Sequence, residues 1–250
     1  MTEQWTKPFY KEQFEMINPE RQHVRPGYLV EDAQLLLEQA GKDFKTALEL
    51  GSGNGYMANE LAALGKRVTT IELVEELHAF AALHAYPAVT PLCGDFYTIE
   101  LPETFDAVLY LDGFGVGDDA DQLRLLFRIR DWMKDDGFGL IDIYQPDYWR
   151  KVQGTQMRPV ASSDTERVYG FEEDTKRMTD TWWRAANPEA SVTQSLACYT
   201  PGEIHALCEQ AGLQVTAYFP GGAMDFEKGI YHEVASLDDC LAYRIKVKKK

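Results

Sequence analysis

Ala47-Leu48-Glu49-Leu50-Gly51-Ser52-Gly53-Asn54-Gly55-Tyr56 is the stretch whose reading decides the architecture. Ala47 to Leu50 is a short apolar run of strand type. Tyr56 to Leu64 places Met57, Leu61 and Leu64 on one helical face, so the glycines fall where a strand hands over to a helix. A glycine-rich turn at that point lets backbone approach a ligand closely, and the helix N-terminus offers amide donors to its polar groups. Because many such turns hold glycine for conformational reasons alone, the spacing carries the argument. In a G-x-G-x-x-G fingerprint the third glycine would fall at position 56, which is Tyr56. Here it falls at Gly55, and an acidic residue, Glu49, precedes the turn, which disfavours a dinucleotide pyrophosphate site.

Outward from this turn, strand and helix alternate. Glu31 to Ala40 reads as a helix stopped by Gly41, and the first strand begins near Thr46. Val68 to Ile71, Val89 to Cys93, Phe105 to Leu111 and Phe138 to Ile143 read as strands, with helices around Glu75 to His84 and from Asp118 to Met133. Phe105 to Leu111 is apolar except for Asp106. Near-continuous apolar strands indicate a parallel sheet covered on both faces, and five strand–helix units point to a doubly wound α/β fold. Between Tyr144 and Tyr199 the alternation stops, and the stretch reads as an antiparallel insertion with a turn at Asn187 and Pro188. Thr200-Pro201-Gly202-Glu203 is a capping box opening a helix that runs to Gly212. Leu213, Val215, Ala217 and Phe219 then alternate, and Leu241 to Val247 is a closing strand; these two suggest an antiparallel edge.

The charge balance, 25 Lys+Arg against 40 Asp+Glu for a net −15, repels a phosphate backbone or an anionic membrane at long range, so neither nucleic acid nor membrane is an expected partner. Hydrophobic residues at 45% and charged residues at 26% exclude disorder or coiled coil as a whole-chain description. Lys246, Lys248, Lys249 and Lys250 read as a frayed, solvated terminus. The N-terminus lacks a basic region followed by an apolar one, which predicts a cytoplasmic protein. Cys93, Cys198, Cys208 and Cys240 contain no C-x-x-C pair and read as small buried side chains with free thiols.

The pattern E-x-G-x-G-x-G from Glu49 to Gly55 resembles the first motif of the class I S-adenosylmethionine-dependent methyltransferases. Glu72 at the end of the second strand and Gly94-Asp95-Phe96 at the end of the third agree with it in the right order. The resemblance covers Thr46 to about Tyr144, and Leu196 to Phe219 more loosely. It implies a Rossmann-like, mostly parallel seven-stranded sheet with an antiparallel edge and a small antiparallel β insertion, in one domain over 1–250. Residues 1–44 would form an N-terminal flap and helix, 45–144 and 200–247 the core, and 145–199 a substrate-covering insertion. It further implies S-adenosyl-L-methionine as cofactor, held by Glu49, Gly51, Ser52, Gly53, Gly55, Glu72, Asp95, Phe96 and Leu111, with Arg25 toward the cofactor carboxylate. Glu72 would accept from the ribose hydroxyls. Asp95 would meet the adenine amino group, with Phe96 beside the ring.

Absences narrow the acceptor. Leu111-Asp112-Gly113-Phe114-Gly115 lacks the Pro-Pro-aromatic sequence of exocyclic-amine base methylation and the Pro-Cys pair of cytosine C5 methylation. Asp112 and Asp142 stand near the metal-ligand places of catechol-type members, but Ile143 follows Asp142 where Asn is wanted, so no metal is expected. The expected reaction is in-line methyl transfer to a small-molecule N or O nucleophile. An aminopropyl-type transferase or a non-catalytic cofactor-binding protein remains the alternative. Candidate bases are His23, Tyr10 and Tyr28 in the flap, and Tyr144 and Tyr199 at the ends of the insertion. The aromatic, arginine-bearing insertion supplies Trp149, Trp182, Trp183 and Arg184 as candidate substrate contacts. Because neighbours on a strand face opposite sides, only one of Trp182 and Trp183 is expected to wall the pocket.

Overall fold

The computed structural model describes residues 4–17, 27, 29–159 and 164–250. Two helices, α1 (Thr6–Ile17) and α2 (Val30–Ala40), precede the first strand. Gly41 ends α2 at φ +62°, donating its N–H to Leu37 and Glu38 carbonyls, a left-handed stop that glycine adopts without a Cβ penalty. The alternation follows: β1 (Thr46–Leu50), α3 (Tyr56–Ala63), β2 (Arg67–Glu72), α4 (Glu75–Leu83), β3 (Val89–Cys93), β4 (Phe105–Tyr110), α5 (Asp119–Trp132) and β5 (Met133–Tyr144). The insertion holds α6 (Pro146–Val152), β6 (Gln156–Met157), β7 (Thr165–Glu172), β8 (Arg177–Arg184) and β9 (Asn187–Ala197). Then come α7 (Pro201–Gln210), β10 (Leu213–Pro220), β11 (Ala223–Asp225), β12 (Ile230–His232) and β13 (Ala242–Lys249).

The main sheet has seven strands in the order β10-β13-β5-β4-β1-β2-β3. The neighbours from β5 through β3 pair in parallel, while β13 runs antiparallel to both β5 and β10. Successive connections run outward from β1 to β3 on one side and from β4 to β5 on the other. The chain therefore reverses its direction of travel across the sheet between β1 and β4, where a crevice opens beyond the strand ends. Asp106, the polar residue in an otherwise apolar strand, fixes this central pair. Its Oδ2 accepts from the Lys45 and Thr46 N–H groups at 2.9 and 2.8 Å and its Oδ1 from Lys134 at 2.7 Å. One core lies between the sheet and α5 and α7, including Leu125, Ile129, Ile204 and Cys208; another lies against α2 and α3, including Leu36 and Leu61.

Several boundaries differ from the sequence reading. β5 begins at Met133, directly after α5, because an irregularity in its pairing with β4 takes up the residues before Phe138. The insertion opens with a helix, α6, capped by the Gln145 side chain, so Tyr148 and Trp149 are helical. Its last hairpin turns at Ala185 and Ala186, and Asn187 already belongs to β9. The basic C-terminal run is tied down: Lys246 lies in β13 and donates to the Ala40 carbonyl, while Lys249 and Lys250 pair with Asp135 and Glu209 at 3.1 and 2.9 Å. Cys198, Cys208 and Cys240 are buried, whereas Cys93, at the end of β3, is exposed.

The insertion packs on the core through close backbone contact. Ala197 donates its N–H to the Gly115 carbonyl at 2.9 Å, and a Cβ at Gly115 would lie 2.5 Å from the Ala197 oxygen. Arg177 adds bonds to the Gly117 and Ser195 carbonyls at 2.7 and 2.6 Å. Helix α1 lies against the insertion's sheet, with Phe9 and Met16 buried against Trp182. Burying side chains of this size contributes about 1.5–3 kcal/mol each.

Candidate active site

Beyond the ends of the central strands lies a cleft of about 330 Å³, within the range of small-molecule sites. Each strand contributes through the turn that follows it: Glu49 and Gly51–Gly53 at β1, Glu72 at β2, Asp95 and Phe96 at β3, and Leu111 to Gly113 at β4. Gly51, Gly53 and Gly55 have φ of +62°, +55° and +76°, the left-handed region that a Cβ disfavours. The turn thereby curls back toward β2, and the Gly53 N–H donates to Glu72 Oε2 at 2.7 Å. Glu72 Oε1 accepts from the Val74 N–H at 2.8 Å. Burial raises the Glu72 carboxyl above its ordinary range, opposed by these N–H donors. Asp95 caps its own turn, accepting from the Tyr97 N–H at 2.8 Å, and Phe96 stacks edge-on to Tyr110 at 5.3 Å.

Three buried oxygens of cleft residues, Thr6 Oγ1, Glu49 Oε2 and Ser52 Oγ, have no hydrogen-bond partner among the described residues. Glu49 is 4% exposed, and burial, then the Glu72 charge, pushes its carboxyl up to about 8. A Cβ built on Gly53 meets nothing within 4 Å, so the space beside the turn is open. Unpartnered buried acceptors beside an open glycine turn suit a ligand carrying its own N–H and O–H donors, as the amino acid and ribose parts of S-adenosylmethionine do.

Helix α1 closes the cleft from the other side. Thr6, Tyr10, Gln13, Phe14 and Ile17 line it, while Phe9 and Met16 on the opposite face meet the insertion. The 3–4 spacing of Thr6, Tyr10, Gln13 and Ile17 is the helical signal in the sequence from which this wall was readable, though the sequence reading singled out Tyr10 alone. Asp112, Tyr97 and Met57 also line the cleft and were not assigned to it. Asp112 gives no periodic signal, because it follows β4 in a loop at φ +54°.

The substrate-contact expectations are corrected. Trp149 lies in α6, packed on Tyr169 at 4.7 Å and Tyr144 at 5.5 Å in the insertion's own core. Trp182 faces α1 and the Arg167 guanidinium, 4.7 Å from its ring, and Trp183 lies on the other face of β8. Arg184 reaches the Asp164 carboxylate and the Glu15 carbonyl. None of the four lines the cleft, because α1 stands between it and the insertion's sheet.

The candidate bases separate similarly. His23 and Tyr28, with the carboxylate partner Arg25, lie outside the described residues. Tyr10 is in the cleft, but its hydroxyl accepts from Gln194 Nε2 at 2.9 Å and burial raises its phenol well above the ordinary value, so it is a donor and a poor base. Tyr144 donates its O–H to Asp112 Oδ1 and is likewise raised by burial and by that carboxylate. Tyr199 donates to Asp119 at 2.7 Å and lines a separate hollow beside α7.

Fold and cleft together define a doubly wound α/β protein with its ligand crevice at the point where the strand order reverses. Residues 47–137 match the family model described as a methyltransferase domain. An uncharacterized methyltransferase of Bacillus cytotoxicus is 28% identical over 95 residues, 38% of this chain and 45% of that protein. The chain thus spans about half the length of the curated relative it matches. The fold is shared with the CcbJ methyltransferase of Streptomyces caelestis, with a TM-score of 0.70 and 18% identity over 90% of this chain and 97% of that one. It is also shared with CalS10, an amino pentose methyltransferase of Micromonospora echinaspora, with a TM-score of 0.65 and 20% identity over 96% and 97%. Residues 47–137 therefore carry a methyltransferase domain, on a fold that the chain shares with S-adenosylmethionine-dependent methyltransferases. Among the described residues, no helix is long and apolar enough to cross a membrane.

Proposed function

We propose that the protein transfers a methyl group from S-adenosylmethionine to a nitrogen or oxygen nucleophile of a small molecule. The observation that carries this reading is the convergence of Glu49, residues 51–54 of the glycine turn, Glu72, Asp95 and Phe96 on one cleft at the sheet's switch point, with Gly55 behind the turn against Ala81. Glu72 takes the ribose hydroxyls on its remaining lone pairs. Asp95 takes the adenine amino group, with Phe96 and Leu111 beside the ring. Glu49, Ser52 and the glycine turn hold the amino acid portion. The bound group supplies a methyl carbon on a good leaving group, a sulfonium. The chain's task is therefore to align the nucleophile and exclude water.

The walls favour a small acceptor. With α1 backed by the insertion, the space left is bounded by Tyr10, Phe14 and Tyr110, and one structural neighbour is an amino pentose methyltransferase. In this reading 1–250 is one methyltransferase unit, in which α1 forms the lid and 145–199 supports it from behind. Calorimetry with S-adenosylhomocysteine tests the cofactor, and transfer of labelled methyl to a metabolite library tests the acceptor class. Absence of nucleoside binding overturns the reading, as does transfer confined to protein or nucleic acid. Transfer of an aminopropyl group favours the alternative.

A further inference from the structure

Asp112 lines the cleft and has no part in the cofactor contacts proposed above. It follows β4 at φ +54°, a conformation adopted among the described non-glycine residues only here and at Lys176. Its N–H donates to Asp142 Oδ2 at 3.2 Å, and Asp142 is held in turn by Arg244 at 2.6 and 3.0 Å. Its Oδ1 accepts the Tyr144 hydroxyl. Its Oδ2 has no hydrogen-bond partner among the described residues, and the side chain is exposed to the cleft. The neighbouring cation, Arg167, is spent on Asp180 in a two-point pair, 3.0 Å at Nε.

Resting on the methyltransferase reading, we propose that Asp112 holds the nucleophile and that the nucleophile is an amine. The described lining contains four carboxyls, Glu49, Glu72, Asp95 and Asp112, and no Lys, Arg or His. Glu49 Oε2, nine-tenths buried, is an acceptor without a partner among the described residues; burial keeps its carboxyl largely protonated at neutral pH, so it adds polarity rather than charge to the wall. Such a wall disfavours an alkoxide and favours positive charge. In the transfer the neutral amine's lone pair forms the N–CH3 bond. The S–CH3 bond breaks with its electron pair staying on sulfur, and the positive charge passes from sulfur to nitrogen, with no proton exchanged. An amine N–H donated to Asp112 Oδ2 orients the lone pair beforehand, and the ammonium that results is paired with the same carboxylate. Limited access to bulk water pushes Asp112 up to about 6, against the Tyr144 hydrogen bond and with Asp142 and Asp180 adding to the rise and Arg167 opposing it, so it is ionised at neutral pH.

Sinefungin tests this without knowledge of the acceptor, because an amine-bearing carbon replaces its methylated sulfur and puts an ammonium where the methyl would stand. Calorimetry at pH 7.5 should find sinefungin roughly ten- to a hundredfold tighter than S-adenosylhomocysteine. Asp112→Asn, which tolerates the left-handed backbone and keeps an oxygen for Tyr144, should collapse that preference to about twofold while leaving S-adenosylhomocysteine affinity within about threefold. The wild-type preference should fade as pH falls through about 6, and at a higher pH in Tyr144→Phe, which removes the donor stabilising the carboxylate. An equal preference in wild type and Asp112→Asn overturns the proposal. Failure of the wild type to bind S-adenosylhomocysteine overturns instead the reading on which it rests.

Discussion

The Gly53 N–H donates to Glu72 Oε2 at 2.7 Å, so the tip of the turn after β1 hangs on the carboxylate that ends β2. The turn and the carboxylate are one unit, and a change in either reshapes the other. Glu72→Ala deletes the acceptor for two backbone N–H groups, Gly53 and Val74, and, in the proposed reading, for the ribose hydroxyls. Nucleoside affinity should fall by about 1–3 kcal/mol, and the melting temperature should fall with it. Glu72→Gln keeps one carbonyl acceptor and should lose affinity with less loss of stability. Calorimetry paired with thermal denaturation separates the two effects, and equal melting of both variants would count against the shared role.

Gly53 can be tested by adding a single carbon. At φ +55° an alanine pays roughly 1–2 kcal/mol of backbone strain, but its Cβ enters open cleft rather than packed core. Gly53→Ala should therefore fold and unfold cooperatively while binding S-adenosylhomocysteine at least tenfold more weakly. Unchanged binding would place the ligand away from this turn.

Glu49 predicts a pH dependence. Its carboxyl, raised from 4.5 to about 8, keeps its proton in the folded chain over a range where the unfolded chain loses it. Stability of the free protein should therefore decline as pH rises from about 4.5 to about 8, by on the order of a few kcal/mol. Glu49→Gln should abolish that slope and melt higher at pH 8. Melting curves across pH 5 to 9 with both proteins check this, and parallel curves would refute it.

Asp106 predicts the opposite slope. Despite partial burial, Lys134 and the N–H groups of Thr46 and Lys45 hold its carboxyl well below the ordinary range. Its contribution is complete above the unfolded value of about 4 and is lost as pH falls below it. Asp106→Ala leaves the Lys45 and Thr46 donors without their acceptor and should cost about 1–3 kcal/mol at neutral pH in a denaturant titration. A loss below about 0.5 kcal/mol would mean that these donors find other partners.

The order of strands and helices, the glycine turn, Glu72 and Asp95 were legible because each is written locally. Strand runs, helical spacing, the Thr200–Glu203 capping box and glycine positions act within a few residues of one another. The cleft's outer half is not written that way. Tyr10 is fixed by Gln194, 184 positions away, and Asp112 by Tyr144, 32 positions away. Strand alternation separates Trp182 from Trp183, yet that Trp182 meets Phe9 and Met16 and that neither tryptophan walls the cleft depended on α1 packing against the insertion's sheet, a packing choice between distant elements. The residues determined by themselves that a glycine turn would stand at the end of β1. Only the tertiary structure decided that α1, rather than the insertion, walls the cleft, because burying Phe9 and Met16 against Trp182 turns Tyr10 and Phe14 toward the ligand space.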